Sequence, residues 1–397
     1  MDPKTFYREL DAILNTIKKE KSGENFFSSI LTEMEKTFGE KLGIINSHIF
    51  ERRGKSYVKI MDCAKNQGMT LRRELSQDLE GVRRIIEQGV VIFDAGEEVC
   101  ELIAGDEKTC KMIAAIHVHK SVRRWLLVFQ LEADMVTEEI RLFLNSMRTA
   151  INYRLFSEMM RNDLKRAEEI QRSLLPGSPP KIKGYDVAAL SIPAEVVGGD
   201  FYEYFTFTEE DFGVAIGDAS GHGIPAALLV RDVVIGLRMG MARDMRLVQT
   251  INKLNQVIQM STYSTNFVSL FVGEIERGGH LFYINAGHPA PFLVTGDTIA
   301  DLEATGITLG FMPDIDMHRS YIHMKPGSVL VLFTDGIVER EENADLFEVG
   351  RLKEIVVFNQ HKSADEIVQA AFEAVDKFGK EKSLEDDATI VVIKRLA

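Results

Sequence analysis

Acidic residues recur in this chain at one kind of place, where an apolar run stops beside a small residue. "VAIGDASGHG" carries Asp218, "VLVLFTDGI" carries Asp335 and "VVGGDFYEYF" carries Asp200; "EDDATIVVIKR" reverses the order, with Asp386 and Asp387 just before the run. Singly, each has an ordinary explanation, because Asp and Gly start turns. Together they set an electrostatic problem. Strand ends meeting at one sheet edge gather the carboxylates, and ionised carboxylates about 4 Å apart repel by roughly 1 to 4 kcal/mol per pair at effective dielectric constants from about 80 to about 20. A cluster of them needs a cation. No Cys and no regularly spaced His pair accompanies the acids, and oxygen ligands alone select a hard ion, Mg²⁺ or Mn²⁺, over Zn²⁺. Gly198 and Gly199 would let the backbone approach closely while Asp200 points at the metal, with Phe201, Tyr202 and Tyr204 walling the site.

The elements that must position these residues follow from pattern. At 397 residues, with 45% apolar and 27% charged residues, the chain can form two or three globular domains. A net charge of -13 leaves no basic footprint for nucleic acid or an anionic membrane. A polar N-terminus and the lack of any long charge-free apolar run predict a soluble, cytoplasmic protein. Residues 1–136 read as two amphipathic helices, "YRELDAILNTIKKE" and "NFFSSILTEMEKTF". A meander of strands follows: "LGIINSHIF", "SYVKIMD", "GVVIFDA", "CKMIAAIHVH" and "RRWLLVFQLE". In order and size this small α+β domain resembles a GAF-type sensor module. A cavity there would hint at a small-molecule signal.

Residues 137–176 read as a helical linker. Thr137 with Glu138 and Glu139 is a helix start, and no Pro or Gly intervenes before Pro176. Ile140, Leu144, Met147, Ile151 and Leu155 recur at helical steps, as do Leu164, Ala167, Ile170 and Leu174. One helix of roughly 35 to 40 residues would extend about 55 Å. It can pack back on its own domain or form a parallel coiled coil; a stripe this long favours the coiled coil and a homodimer. "PGSPPKIKGY" ends the helix, so residues 177–397 form the last domain. Strand candidates there are "YDVAALSI", "FGVAIGD", "NFVSLFVGEIE", "HLFYINAG", "SVLVLFTD" and "ATIVVIKR". Helix candidates are "IPAALLVRDVVIGLRMGMA", "MRLVQTINKLNQVIQ" and "SADEIVQAAFEAVDKFG". Strands that follow one another without a helix predict a mainly antiparallel arrangement flanked by helices.

"IQRSLLP", "VGGDFYEYF", "GDASGHGIPAAL", "NAGHPAP", "TDGIVE" and "DDATIVV", in this order over residues 170–393, resemble the SpoIIE branch of the PPM metal-dependent serine/threonine phosphatases. The resemblance implies an α-β-β-α sandwich of two antiparallel sheets between helices, holding two Mg²⁺ or Mn²⁺ ions at one end. It implies that Asp218 bridges both ions, that the Ala219 carbonyl binds the second, and that Asp335 and Asp386 hold the first. Asp200 would contact the second directly or through water. Asp387 stands where relatives often have Asn, with a role less defined. It further implies a phosphorylated substrate protein of the STAS-type anti-anti-sigma class.

In such a centre the attacking group is an activated water, and Asp218 and Asp200 are the catalytic candidates. Cysteine usage agrees: Cys63, Cys100 and Cys110 are the only thiols, so none lies in the last domain. His222 and His288 read first as turn and bend residues and second as proton donors. "GGDF" superficially resembles a cyclic-dinucleotide cyclase signature, but Phe201 and Tyr202 follow the Asp and no DxD lies upstream. A degenerate phosphatase serving as a binding scaffold is the other alternative, disfavoured by the presence of all four acids. The acidic stretch "EREENADLFE" borders the substrate groove or is a solvated loop.

Overall fold

The computed structural model describes residues 8, 11–13, 15, 26–62, 71–93, 112–131, 137–241, 247–261, 267–380 and 382–396. Contacts divide the chain into two units, Met1–Asp163 and Leu164–Ala397. No described helix is long and apolar enough to cross a membrane.

The first unit holds helices α1 (Phe26–Leu42) and α2 (Glu80–Gln88). Its strands are β1 (Ile44–Arg53), β2 (Ser56–Asp62), β3 (Glu74–Ser76), β4 (Val90–Phe93), β5 (Ile113–Lys120) and β6 (Arg123–Leu131). They form one sheet in the order β3-β2-β1-β6-β5-β4, and every pairing is antiparallel. In α1, Phe27, Ile30, Leu31, Met34 and Phe38 recur at helical spacing and are buried in one core. A separate core gathers Phe50, Tyr57, Val82 and Ile85. The expected first helix falls largely, and the three cysteines wholly, outside the described residues.

Helix α3 runs from Thr137 to Arg172, 36 residues, and the division between the units falls within it. Ile140, Phe143, Leu144, Met147, Ile151 and Leu155 are buried in the first unit's own core. The stripe that reads as a dimer seam is thus covered by its own unit over residues 140–155. A different face of the same helix leaves Leu142, Tyr153, Phe156 and Met160 exposed.

The second unit contains β7 (Tyr185–Ile192), β8 (Asp200–Thr206), β9 (Phe212–Ala219), β10 (Val268–Glu276), β11 (His280–Ala286), β12 (Phe292–Thr295), β13 (Thr298–Asp301), β14 (Ser320–His323) and β15 (Val329–Phe333). The hairpin β16 (Glu341–Glu342) and β17 (Asp345–Leu346) and the last strand β18 (Ala388–Arg395) complete it. Two five-stranded sheets form, β14-β11-β10-β9-β8 and β13-β12-β15-β18-β7. Their facing side chains, among them Phe212, Ile216, Phe271, Leu330 and Val391, make a common core. Helices α4 (Gly223–Gly240) and α5 (Leu247–Ser261) share a core with the first sheet. After the short α6 (Asp335–Val338), helices α7 (Glu348–Asn359) and α8 (Ala364–Phe378) share one with the second. The architecture is the expected α-β-β-α sandwich.

Strands β3, β8, β12 to β14 and the β16–β17 hairpin, with helices α2, α6 and α7, escape sequence reading. The acidic stretch after Asp335 is no plain loop: Asn343 and Ala344, both at positive φ, turn the β16–β17 hairpin. The Arg340 guanidinium pins it by donating to the carbonyls of Lys382 (2.6 Å) and Ser383 (2.7 Å).

Candidate metal centre

Strand pairing alone brings the acids together. On adjacent antiparallel strands Asp200 lies directly opposite Asp218, so the first sheet presents two carboxylates at one end. In the second sheet Phe333 pairs with Ile390, and the Thr334 N–H donates to the Thr389 carbonyl at 3.0 Å. The chain leaving β15 at Asp335 and the chain entering β18 through Asp386 and Asp387 therefore share an end as well.

Two threonines tie the sheets together there. Both the Thr334 and the Thr389 hydroxyl donate to Asp200 Oδ2, at 2.7 Å each. Thr334 Oγ1 accepts the Thr389 N–H (2.9 Å), and Thr389 Oγ1 lies 2.8 Å from Ser191 Oγ. Each hydroxyl has one proton, so two donors converging on Oδ2 mark it as an unprotonated oxygen. Asp200 Oδ1 is buried with no hydrogen-bond partner among the described residues. It is the oxygen left for a cation or a proton. Desolvation, then Asp218, pushes the Asp200 carboxyl well above the usual range, against the two hydroxyl donors.

Asp218 is pushed up to about 7 by burial, followed by the charges of Asp335, Asp386 and Asp387. Asp335 is raised by burial and Asp386, while its Oδ1 accepts the Gly336 N–H. A depression of about 370 Å³ is lined by Asp218, Asp386 and Asp387, with Glu195, Gly221 and His222. Asp335 and Asp200 are not part of this lining; Asp200 lines the neighbouring cavity of about 480 Å³ together with Asp387 and Gln171. Among the described residues no group of three or more His, Cys, Asp or Glu side chains stands ready to hold a metal ion; the carboxyls raise one another without closing on one point. Mutually raised carboxyls, an orphaned buried oxygen and an all-oxygen donor set nevertheless fit a hard divalent cation.

The two glycines behave as their position requires. A Cβ at Gly199 would lie 2.6 Å from the Ala219 carbonyl oxygen and 3.0 Å from Asp218 Oδ1. The Gly199 carbonyl accepts the Ala219 N–H at 3.0 Å. A Cβ at Gly198 would lie 2.5 Å from Asp387 Oδ2. Asp387 uses one oxygen on the Ala194 N–H (2.8 Å) and the other on the Gly199 N–H (2.5 Å). It anchors the loop that leads to Asp200.

The aromatic residues divide by strand alternation. Phe201 is buried in the core shared with α4 and α5, beneath Gly217. Tyr202 and Tyr204 pack from the opposite face, in edge contact at 5.6 Å. Phe201 is thus a support rather than a wall.

The histidines part company. His288 is buried; its Nδ1 is 2.8 Å from Ser269 Oγ, and its N–H donates to Asn285 Oδ1 (2.8 Å). Burial pushes its ring down to about 3, so it is neutral near neutral pH and fixes the bend behind Asp218. The His222 side chain is 82% exposed at the mouth, 3.2 Å from Glu195. It makes no capping hydrogen bond at the start of α4; the tight turn there rests on Gly221 and Gly223 at positive φ.

Thr334, Thr389 and Gln171 escape the carboxylate-led reading, although each lies inside a quoted motif. For the threonines the signal was a hydroxyl within two residues of Asp335 or Asp387; Gln171, 27 residues before Gly198, gave none.

The chain matches the family described as Stage II sporulation protein E (SpoIIE) over residues 208–396. It is 29% identical to the phosphoserine phosphatase RsbU of Bacillus subtilis over 239 residues, 59% of this chain and 71% of RsbU. It is 27% identical to the protein IcfG of Synechocystis over 54% of this chain and 39% of IcfG. The SiaA-PP2C domain of Pseudomonas aeruginosa superposes with a TM-score of 0.54 at 21% identity, covering 60% of this chain and 98% of that domain. The RsbU and RsbW domains of a Mycobacterium tuberculosis protein give 0.50 at 23% identity, covering 56% and 63%. These two structural likenesses are likenesses of fold. The segment that carries Asp218, Asp335 and Asp386 lies within residues 208–396, over which the chain is similar to the SpoIIE family.

Proposed function

We propose that the second unit hydrolyses phosphoserine or phosphothreonine on a partner protein, with two Mn²⁺ or Mg²⁺ ions at the convergence of Asp200, Asp218, Asp335 and Asp386. The observation that carries this reading is geometric: Asp200 faces Asp218 across paired strands, Thr334 and Thr389 tie the ends of β15 and β18 to Asp200 Oδ2, and the buried Asp200 Oδ1 is left without a hydrogen-bond partner among the described residues. Such an arrangement costs folding energy unless a cation offsets it. The relatives RsbU and RsbP of Bacillus subtilis bear the name phosphoserine phosphatase.

Such ions, when bound, supply Lewis-acid activation of water and of the phosphoryl group. In this reading Asp218 would bridge them and the Ala219 carbonyl would bind the second. Asp335 and Asp386 would hold the first, Asp200 would offer its free Oδ1, and Asp387 would support the loop. His222, at the mouth with Glu195, would pass a proton to the leaving seryl oxygen.

The substrate in this reading is a phosphorylated STAS-type anti-anti-sigma protein. The first unit acts as a GAF-like sensor for a small molecule or protein, and α3 transmits its state. A cytoplasmic homodimer forms through the exposed face of α3, where Leu142, Thr149 and Phe156, and Ser146, Tyr153 and Met160, each recur every seven residues.

The test is Mn²⁺-dependent release of phosphate from a purified phosphoserine STAS protein, expected in the wild type and abolished in Asp218→Asn. Binding of the phosphoprotein without turnover would identify a scaffold instead.

A further inference from the structure

The dipeptide before Asp200 has no side chains to pack, yet its backbone is held from three directions. Asp387 takes the Gly199 N–H, and the Ala219 N–H donates to the Gly199 carbonyl. The third hold is Gln171, in the last turn of α3. Its carboxamide donates to the Gly198 carbonyl, and its Oε1 accepts the Gly198 N–H at 3.0 Å. One residue exchanging both main-chain groups with a neighbour is how antiparallel strands pair. Strand β8 is an edge strand, so the Gln171 side chain stands in for the missing neighbour just upstream of β8.

Packing does not do this work. On that side of the loop lies a cavity of about 480 Å³, lined by Gln171, Leu175, Ser191, Ile192, Val196 and Gly198. Glycine loses more backbone freedom on ordering than other residues, so an unheld Gly-Gly would leave both Asp200 and the Ala219 carbonyl loosely placed. Gln, like Asn, carries a donor and an acceptor in one plane, and it has the extra methylene needed to reach.

We infer that Gln171 is a positioning residue of the cation site: its carboxamide fixes Gly198–Gly199, and through them the aim of Asp200 and of the Ala219 carbonyl. The inference rests on the reading of the acidic cluster as a divalent-cation site. Outer-shell groups of this kind typically change metal affinity by about ten- to a hundredfold.

The experiment titrates full-length protein with Mn²⁺ alone, following free ion by electron paramagnetic resonance, for wild type, Gln171→Glu, Gln171→Leu and Glu169→Gln. Gln171→Glu keeps the shape but sets an acceptor against the Gly198 carbonyl; Gln171→Leu removes both bonds. Both should raise the Mn²⁺ dissociation constant at least about tenfold, and Glu169→Gln, on the exposed side of the same turn, should not. In turnover, the Mn²⁺ activation constant should rise by the same factor, with kcat at saturating Mn²⁺ within about twofold of wild type. A merely structural role would lower the Tm and leave the Mn²⁺ constant alone. Wild type that binds Mn²⁺, with both Gln171 variants equal to it or with Glu169→Gln equally weakened, overturns this inference alone. Wild type that binds no Mn²⁺ overturns the cation reading and this inference with it.

Discussion

At the scale of the residue, burial and mutual repulsion make the acids depend on what neutralises them. With Asp218 raised from the usual carboxylate range to about 7, the folded, ion-free protein binds one more proton than the unfolded chain between about pH 4 and pH 7. Its stability contribution is therefore fully present below about pH 4 and is lost as pH rises through 7. A cation at the same oxygens reverses the trend. The Mn²⁺-induced rise in Tm should be small at pH 5.5 and larger at pH 8, checked by thermal unfolding with and without Mn²⁺; an equal shift at both would remove Asp218 from the site. The threonines give a second expectation. Thr389→Val keeps the shape but removes a hydroxyl that donates to Asp200, and should lower unfolding free energy by about 0.5 to 1.5 kcal/mol in urea titrations of the ion-free protein. Little of this was legible beforehand. Acids at strand ends point to a cluster because charge repulsion is general. That Asp387 would spend both oxygens on backbone N–H groups depends on loop geometry that spacing does not encode.

At the scale of the element, apolar patterning was informative for most long strands, though not for β8. "ATIVVIKR" coincides with β18, whose first six residues are all buried, because a strand covered on both faces reads as a continuous apolar run; "YDVAALSI" coincides with β7, an edge strand in which only Val187 and Ala188 are buried. Strands β12, β13 and β14 have four residues each, and β13 and β14 are largely exposed, which leaves no run to see. Helix α3 was legible as a helix but not in its partner: periodicity says that a stripe is buried and is silent on what buries it. Its two faces give opposite expectations. Met147→Ala, in the core of the first unit, should cost about 2 to 5 kcal/mol of stability. Phe156→Ala, 56% exposed, should change stability little but shift sedimentation toward monomer. A monomeric wild type would dismiss the dimer, and an unchanged sedimentation profile in Phe156→Ala would dismiss this face as its seam.

At the scale of the whole molecule, the sandwich brings together acids that are far apart in the chain, because β8 begins and β9 ends where β15 ends and β18 begins. The net charge of -13 and the acidic mouth suit a site that is completed by cations rather than one that captures a bare anion. The motifs, through the family they resemble, were enough to anticipate the sandwich. The links from loop to helix end, through Gln171, and from sheet to sheet, through Thr334 and Thr389, became visible only in three dimensions. The most direct measurement of the central claim is an anomalous difference map from crystals grown with Mn²⁺. Two peaks about 4 Å apart, with Asp218 between them and Asp335 and Asp386 on one, are the predicted result. Peaks elsewhere, or none near Asp218 in crystals saturated with Mn²⁺, would contradict it.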